Sequence, residues 1–417
     1  MLGVVDSLMV GKVGTASLAA SSLVNGLYFL VLVLGIGITS AITPMVAIAR
    51  GGKRDEECGV IINQAFIVNG IFSIILAVLL FILANFIKYF DQPPEVAVLA
   101  ESYLKTLAIS SIPFMIFQVY KQFYEGVSDV IVPMVIALLA NISNAFFNWV
   151  FIFGKFGFEP MGLDGAGYST LLNRTFMAVA IMIMVFRSEK FKRYHLHFRL
   201  NEISISIVKK LLQIGLPSGF QYFLEVGSFS FAAIMIGWIG EDGLAAHQIA
   251  INLASVSYML ILGISAAGTI RVADAYGQHD KKNIRLAGFT VLLLAVGVMA
   301  CFGIFFVIFR NFLPTLYVSD NEVINIASNL IIIAAMFQIF DGMQASGVAI
   351  LKGLTDVKIP MLFSFFSYWI ISIPIGALFG FYFQMGVVGI WIGLSLGLAL
   401  VGIFTATRFN RLSRIVD

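Results

Sequence analysis

Charge is scarce in this chain. Asp, Glu, Lys and Arg account for 12% of its 417 residues, about half of the roughly 25% carried by soluble domains. A water-soluble enzyme of this length could not cover its surface with so few charges, and that class is excluded. Cysteine is nearly absent: Cys58 and Cys301 provide neither a disulfide framework nor a CxxC metal spacing. The four histidines (His195, His197, His247 and His279) form no HExxH pair, and no GxxxxGK[S/T] loop is present to bring ATP to the chain. No basic segment followed by a cleavage site marks a signal peptide. A net charge of +3 offers no footprint for nucleic acid.

What the chain has in excess is apolar bulk. Hydrophobic residues make up 59%, with 39 Phe and 13 Tyr, which excludes intrinsic disorder. Mean hydropathy is +0.96. The apolar runs are continuous and approach the roughly 20 residues that cross a bilayer as a helix, about twice the length of a barrel strand. Charges and Pro, Gly or Asn clusters bound them, and the pattern predicts twelve helices near 1–13, 20–49, 60–88, 97–120, 131–153, 165–187, 207–239, 244–274, 284–310, 323–350, 359–381 and 386–407. The expected fold is an all-α polytopic membrane protein.

Lys and Arg fall unevenly between the two sides of these spans. One side has only Lys12, Lys88, Lys155 and Arg310; twenty lie on the other, and Lys105 and Arg174 fall within spans. The positive-inside rule puts the rich side, with the C-terminus and the 188–206 loop, in the cytoplasm of a plasma or inner membrane. That loop is the longest and most basic. It predicts a hinge between an N-terminal lobe over 1–187 and a C-terminal lobe over 207–417.

The two halves repeat each other. Residues 10–51 align with 236–277 at an offset of 226, matching Gly11/Gly237, Gly14/Gly240, Leu18/Leu244, Gly37/Gly263, Thr43/Thr269 and Gly51/Gly277. Asp129-Val130 and Pro133-Met134 recur 227 residues later, and Met161-Gly162 recurs at an offset of 224. A repeat of six helices keeps both copies in the same orientation, the parallel-repeat arrangement of secondary transporters. Helix 7 begins about twenty residues earlier in its copy than helix 1 does. Helix 1 is therefore expected to be truncated at its N-terminus.

Three acids fall within spans: Asp6, Glu225 and Asp341. An unpaired carboxylate there costs about 2.5–3.5 kcal/mol even on lenient scales, and no Lys or Arg is spaced to neutralise Glu225 or Asp341 within its own helix. Such acids hold a proton or a cation, unless they only hydrogen-bond helices together. Asp6 aligns with Ala232, and Glu225 with nothing present, so neither is repeated scaffold. Asn144 and Asn148 share one helix face and suit either a polar site with Asp6 or helix-to-helix bonding. Arg174 suits a counter-ion for Asp6 or a snorkelling side chain. His247 and Gln248 open helix 8, where capping competes with proton relay. Met and aromatic residues are expected mostly at packing and lipid-facing positions.

These residues also resemble a known family. Val5-Asp6-Ser7-Leu8-Met9-Val10-Gly11-Lys12-Val13-Gly14 is similar to the first-helix motif of the MATE (multidrug and toxic compound extrusion) family. Ala245-Ala246-His247-Gln248-Ile249-Ala250-Ile251-Asn252 resembles its helix 8 motif, Leu216-Pro217 with Glu225 its helix 7, and Phe340-Asp341 with Gly353 and Asp356 its helix 10. The Glu225/Asp341 pair resembles the NorM-type branch. The resemblance implies twelve helices in two pseudo-symmetric six-helix lobes. It implies export of amphipathic, often cationic compounds by antiport against Na⁺ or H⁺. Asp6, Glu225 and Asp341 are then the coupling residues, Glu225 and Asp341 the Na⁺ candidates, and Asn144, Asn148, Arg174 and Gln248 candidates for a polar cavity. No cofactor beyond the coupling ion and no nucleic acid is expected, only small organic cations and the lipid bilayer as partners, and a monomer. A lipid-linked oligosaccharide flippase is the alternative, disfavoured by having only Arg174 and Lys105 as central cations. An intramembrane enzyme would need catalytic or metal-ligand pairs at helical spacing, and none is found.

Overall fold

The computed structural model describes Asp6, residues 9–194 and residues 203–415. Most of predicted helix 1, including Val5, Ser7 and Leu8 of its motif, lies outside the described residues, as do His195, His197 and Arg199 of the basic loop. The described residues are mostly helical, joined by short turns and loops, and contain no strand. Labels follow the predicted spans: α1 comprises helical residues 6, 9 and 10, α2 is Thr15–Gly51, interrupted between Thr39 and Ile42, and α3 is Asp55–Tyr89. Next come α4 (Pro94–Gly126), α5 (Ile131–Phe153), α6 (Gly162–Arg187), α7 (Ile205–Gly237) and α8 (Glu241–Gly277). The last four are α9 (Lys281–Phe309), α10 (Asn321–Gly353), α11 (Lys358–Tyr382) and α12 (Gly386–Ile415). In α11 the turns Phe366–Ser372 and Leu378–Tyr382 widen to π-helix.

Among the described residues, ten of these helices are long and apolar enough to cross a membrane, and α4 is not one of them despite its 33 residues. The reason is position. α4 packs on α2, α3 and α6 at the centre of its bundle and buries Thr106, Ser110, Ser111 and Gln118, so it needs little grease. α3 shows the opposite pattern. It exposes Ile71, Ile74, Ile75, Val78, Leu79 and Ile82 while burying Gln64, Asn69 and Ser73. Apolar outside and polar inside is the arrangement of a helix solvated by lipid, where polar groups must find partners within the protein. The chain is a multi-pass membrane protein.

The helices cluster into two compact units. One comprises residues 1–46 and 54–219, the other residues 47–53 and 220–417. The division between them falls at Gly219, inside α7.

The repeat is written in backbone as well as in residues. α2 and α8 are each 37 residues long and start 226 apart. Their N-caps share one conformation, Gly14 at φ 161°, ψ 164° and Gly240 at φ 156°, ψ 165°. α4 and α10 are each 33 residues long at an offset of 227. Left-handed residues recur in register: Lys53 (φ 57°) with His279 (φ 56°), Ser128 with Thr355 (both φ 61°), and Gly162 (φ 54°) with Gly386 (φ 59°). The hydroxyl of Thr43 on α2 donates to the Gln122 carbonyl on α4 at 3.0 Å, and its counterpart Thr269 on α8 donates to the Ala349 carbonyl on α10 at 2.9 Å. Each donor so used satisfies a hydroxyl that lipid could not. The repeated acids Asp129 and Asp356 each take a cation: Lys190 at 3.5 Å, and Arg408 through Nε at 2.5 Å and Nη2 at 3.1 Å. The fold is two pseudo-symmetric six-helix halves.

The last turns of α2 and α8 meet backbone to backbone. A Cβ on Gly51 would lie 2.1 Å from the Asp274 carbonyl oxygen, and one on Gly277 would lie 2.1 Å from that of Ile48. Asp274 and Ile48 are themselves 226 apart. Arg50 closes this crossing by donating to Asp274 Oδ1 through Nη2 at 2.8 Å and Nε at 3.2 Å. Because the clashing atoms are backbone, they have nowhere to retreat. Gly51→Ala and Gly277→Ala are each expected to lower stability by about 1–3 kcal/mol. Gly70 and Gly297 have nothing within 4 Å, so alanine at either should raise it by roughly 0.5–1 kcal/mol. Thermal unfolding of the four variants in one detergent checks both signs.

Candidate functional site

The three intramembrane acids divide between the units, Asp6 in the first and Glu225 and Asp341 in the second. Each is buried, at 7%, 9% and 5% exposure, in a chain whose outer surface is apolar. Burial at that level removes the water that would otherwise solvate a carboxylate, so the surrounding side chains decide what it holds.

In the second unit, Glu225 stands on α7 and Asp341 on α10, close enough to repel one another. The Gln344 amide donates to Glu225 Oε2 at 3.1 Å, leaving its own carbonyl oxygen without a partner. Gln338, Asp341 and Gln344 follow at three-residue spacing, which sets them along one side of α10. Gln338 is buried with neither amide atom bonded, and the Tyr368 hydroxyl from α11 is also unpartnered. Tyr258 on α8 and Tyr368 both feel the charge of the two carboxylates. Buried polar atoms normally find partners. Here two carboxylates share one unit with the unpartnered oxygens of Gln338, Gln344 and Tyr368. That is the donor set of a hard cation, or of a proton shared between acids. Among the described residues no group of three His, Cys, Asp or Glu side chains forms a transition-metal site.

The helices around this cluster are held by packing. The Trp369 indole donates to the Leu224 carbonyl at 3.1 Å, one residue before Glu225, from the widened turn of α11. A regular α-helical turn would aim residue 369 elsewhere; π-turns are frequent where a side chain must be re-aimed. Lys352, buried at the end of α10, donates to the Tyr222 hydroxyl at 3.1 Å. Tyr222 lies one turn before Glu225.

In the first unit, Asp6 Oδ1 accepts from Asn148 Nδ2 at 2.5 Å. Asn148 also donates to Asn144 Oδ1 at 3.3 Å, and Asn144 donates to Ser169 Oγ at 3.3 Å. A polar chain thus crosses from α1 through α5 to α6, using the asparagine pair at i and i+4. Arg174 does not close on Asp6. Its Nη1 donates to Tyr28 Oη and, at 2.9 Å, to Ser110 Oγ. The Tyr28 and Phe114 rings face the guanidinium at 5.0 and 4.9 Å.

Of the residues expected from sequence, the structure brings together Glu225 with Asp341, and Asp6 with Asn144 and Asn148. Gln248 joins neither cluster; it is exposed near the start of α8. Its neighbour His247 accepts from Trp391 Nε1 at 3.1 Å and packs edge-on against that ring, a packing role for the imidazole. Sequence reasoning passed over Gln338, Gln344, Tyr258 and Tyr368. The three-residue spacing around Asp341 would have found the two glutamines. The tyrosines come from other helices, and nothing in their local sequence marks them.

Comparison with known proteins places this geometry. The MatE family model matches residues 1–150 and 217–378, one stretch in each half. A protein named "Probable multidrug resistance protein NorM" from Brucella suis biovar 1 is 35% identical over 413 residues, spanning 97% of this chain and 88% of that protein. The "Multidrug resistance protein NorM" of Photobacterium profundum is 29% identical over 413 residues, 98% of this chain and 91% of that one. In fold the chain is similar to the Vibrio cholerae MATE transporter VcmN in its bent form, with TM-score 0.88 at 18% identity over 99% of this chain and 92% of that one. It is likewise similar to the eukaryotic MATE transporter AtDTX14, with TM-score 0.87 at 20% identity over 100% and 93%.

A bond between a carboxylate and an amide in this setting is worth about 1.5–3 kcal/mol. Asn148→Ala should therefore destabilise the protein by that amount while Asp6 is present, and by much less in an Asp6→Asn background. A double-mutant cycle on thermal or denaturant unfolding reads the difference; additive effects would mean that the two side chains do not interact.

Proposed function

Since this chain belongs to the MatE family, we propose that it is a secondary antiporter exporting amphipathic, often cationic organic compounds in exchange for Na⁺ or H⁺. The observation that carries this reading is the buried pair Glu225 and Asp341, in a helical unit that also holds the unpartnered oxygens of Gln338, Gln344 and Tyr368. Two carboxylates that close raise each other's affinity for a proton or a cation, because both cannot remain ionised alone. Binding there is reversible, as a coupling ion requires. The names of the relatives support a drug-like cargo.

The cycle follows from alternating access between two halves of the same orientation. The ion enters the acid pair, the halves rearrange, and the ion leaves on the other side. Glu225 and Asp341 supply the charge, and Gln344, Gln338 and Tyr368 supply the oxygens that would replace the hydration shell of Na⁺. H⁺ would need only the carboxylates. Asp6, with Asn148 behind it, offers the first unit's own negative charge to a cationic cargo. Gln338 and Gln344 are neutral, so cargo and ion compete for the acids alone. No step makes or breaks a covalent bond.

The reading also places the protein in a plasma or inner membrane, with the C-terminus and the basic 188–206 loop in the cytoplasm, and as a monomer, each chain carrying both acid clusters.

The test is efflux of a fluorescent cationic dye from proteoliposomes, with Na⁺ and pH gradients imposed separately. Glu225→Gln and Asp341→Asn keep size and hydrogen bonding but remove charge. Each should reduce gradient-driven efflux roughly tenfold or more. A variant that keeps the parent rate removes its residue from coupling. For topology, a cysteine placed at the exposed Lys282 should resist an impermeant thiol reagent added outside intact cells, and ready labelling would reverse the orientation.

A further inference from the structure

Arg174 is the one cation of the first unit set among its intramembrane helices that no carboxylate neutralises among the described residues. A buried guanidinium that serves only structure is normally paired with an acid. A snorkelling one reaches for the aqueous edge. Arg174 does neither. It extends from α6 toward α2 and α4, where the Tyr28 and Phe114 rings lie 5.0 and 4.9 Å from the guanidinium and Tyr28 and Ser110 accept from a single nitrogen, Nη1. A guanidinium has five N–H donors in a planar fork. Those on Nη2 and Nε donate to nothing among the described residues. The group is thus aimed and clamped at one corner, with its bidentate edge left over. Ser110 is fully buried and Tyr28 nearly so, while Arg174 itself is only half-buried, so the open edge is not sealed by protein.

Asp6 is near enough to feel this charge, yet its bonded partner is Asn148. Two opposite charges are therefore held within one unit, each fixed by neutral side chains, and they do not quench each other. In water such an arrangement would mean little. In a medium of low dielectric, opposite charges close on each other unless they are restrained. A molecule that bridges them must carry both signs.

We propose that Asp6 and Arg174 form a template for zwitterionic amphiphiles, with Arg174 taking a carboxylate or sulfonate and Asp6 the cationic group of the same molecule. The planar edge of the guanidinium matches the two oxygens of a carboxylate. The rings of Tyr28 and Phe114 flank it with an aromatic surface for the apolar body. This specificity role rests on the exporter reading above, but its test does not depend on transport.

A xanthene dye is used in two forms, the zwitterionic free acid and its cationic methyl ester. They differ only in the group assigned to Arg174. Binding of each to the purified protein is followed by fluorescence anisotropy, and dye efflux from proteoliposomes is measured separately to read the exporter function. Arg174→Gln should weaken binding of the acid about tenfold and leave the ester within about twofold. Arg174→Lys keeps a point charge without the fork and should lie between, for the acid alone. Lys105→Gln, which removes a cation already paired with Glu101 at 2.6 Å, should affect neither form. If Arg174→Gln does not fold, the lysine variant carries the same comparison. Equal loss of both dyes, or no loss of the acid, overturns the proposal. Failure of the parent to export either dye, with the binding difference intact, would count against the exporter reading and not against the template.

Discussion

Hydrocarbon does not solvate a polar group. Every side chain in this molecule that can donate, accept or carry charge has to be answered from within its own unit, and the architecture follows from how that is done. Threonines on α2 and α8 spend their hydroxyls on carbonyls of α4 and α10. Ser40, Ser110, Ser111 and Ser257 bond back to their own helices. The helices with the most to satisfy, α4 and α10, each pack against three neighbouring helices and are matched in length, while α3 turns a bare aliphatic face outward. Some buried polar atoms remain without a partner, those of Gln338, Gln344 and Tyr368 among them, and also Asn69 Oδ1, Thr170 Oγ1 and Ser265 Oγ.

The scaffold is duplicated, and the chemistry is not. Helix lengths, caps, left-handed turns and the threonine bonds recur in both halves. Asp341 corresponds to Phe114 and Asp6 to Ala232, so neither of these acids recurs in the other half. Lys352, parked on Tyr222, aligns with Glu125, which pairs with Lys121 instead. A symmetric frame gives the two halves the same shape; the unequal charges give them different partners. The antiport proposed above would draw on that inequality.

Much of this was legible beforehand. The twelve spans and the repeat offsets could be read from hydropathy and spacing, because the lipid requirement acts on composition over whole helices. The three acids stood out for the same reason. Asn144 and Asn148 could be tied to Asp6 because four residues make one helix face. What could not be read was the contribution of other helices: Tyr258 on α8 and Tyr368 on α11 lie within electrostatic reach of both acids, and no local pattern marks them. Gln248, attractive in its motif, faces outward. The interruption of α2 after Thr39 was passed over although Pro44 marks it, since a proline there cannot donate to the Ser40 carbonyl and its ring crowds that group; the π-turns of α11 do not follow from periodicity. For Arg174, position alone suits a counter-ion or a snorkelling chain, and the Tyr28 and Phe114 rings that face it come from α2 and α4.

The left-handed residues hold a record of another kind. Lys53 and His279 share a φ near 57°, and Ser128 and Thr355 share one of 61°, although neither pair is identical in residue type. A side chain with a Cβ in that region costs roughly 1 kcal/mol or more, so each such turn is kept because the helices on either side demand it. The letters at these positions have drifted while the torsion angles have not. A duplication that sequence alone would eventually lose is preserved as a pattern of bends in the chain. Comparing the turns of the two halves therefore detects the repeat at positions where comparing their residues does not.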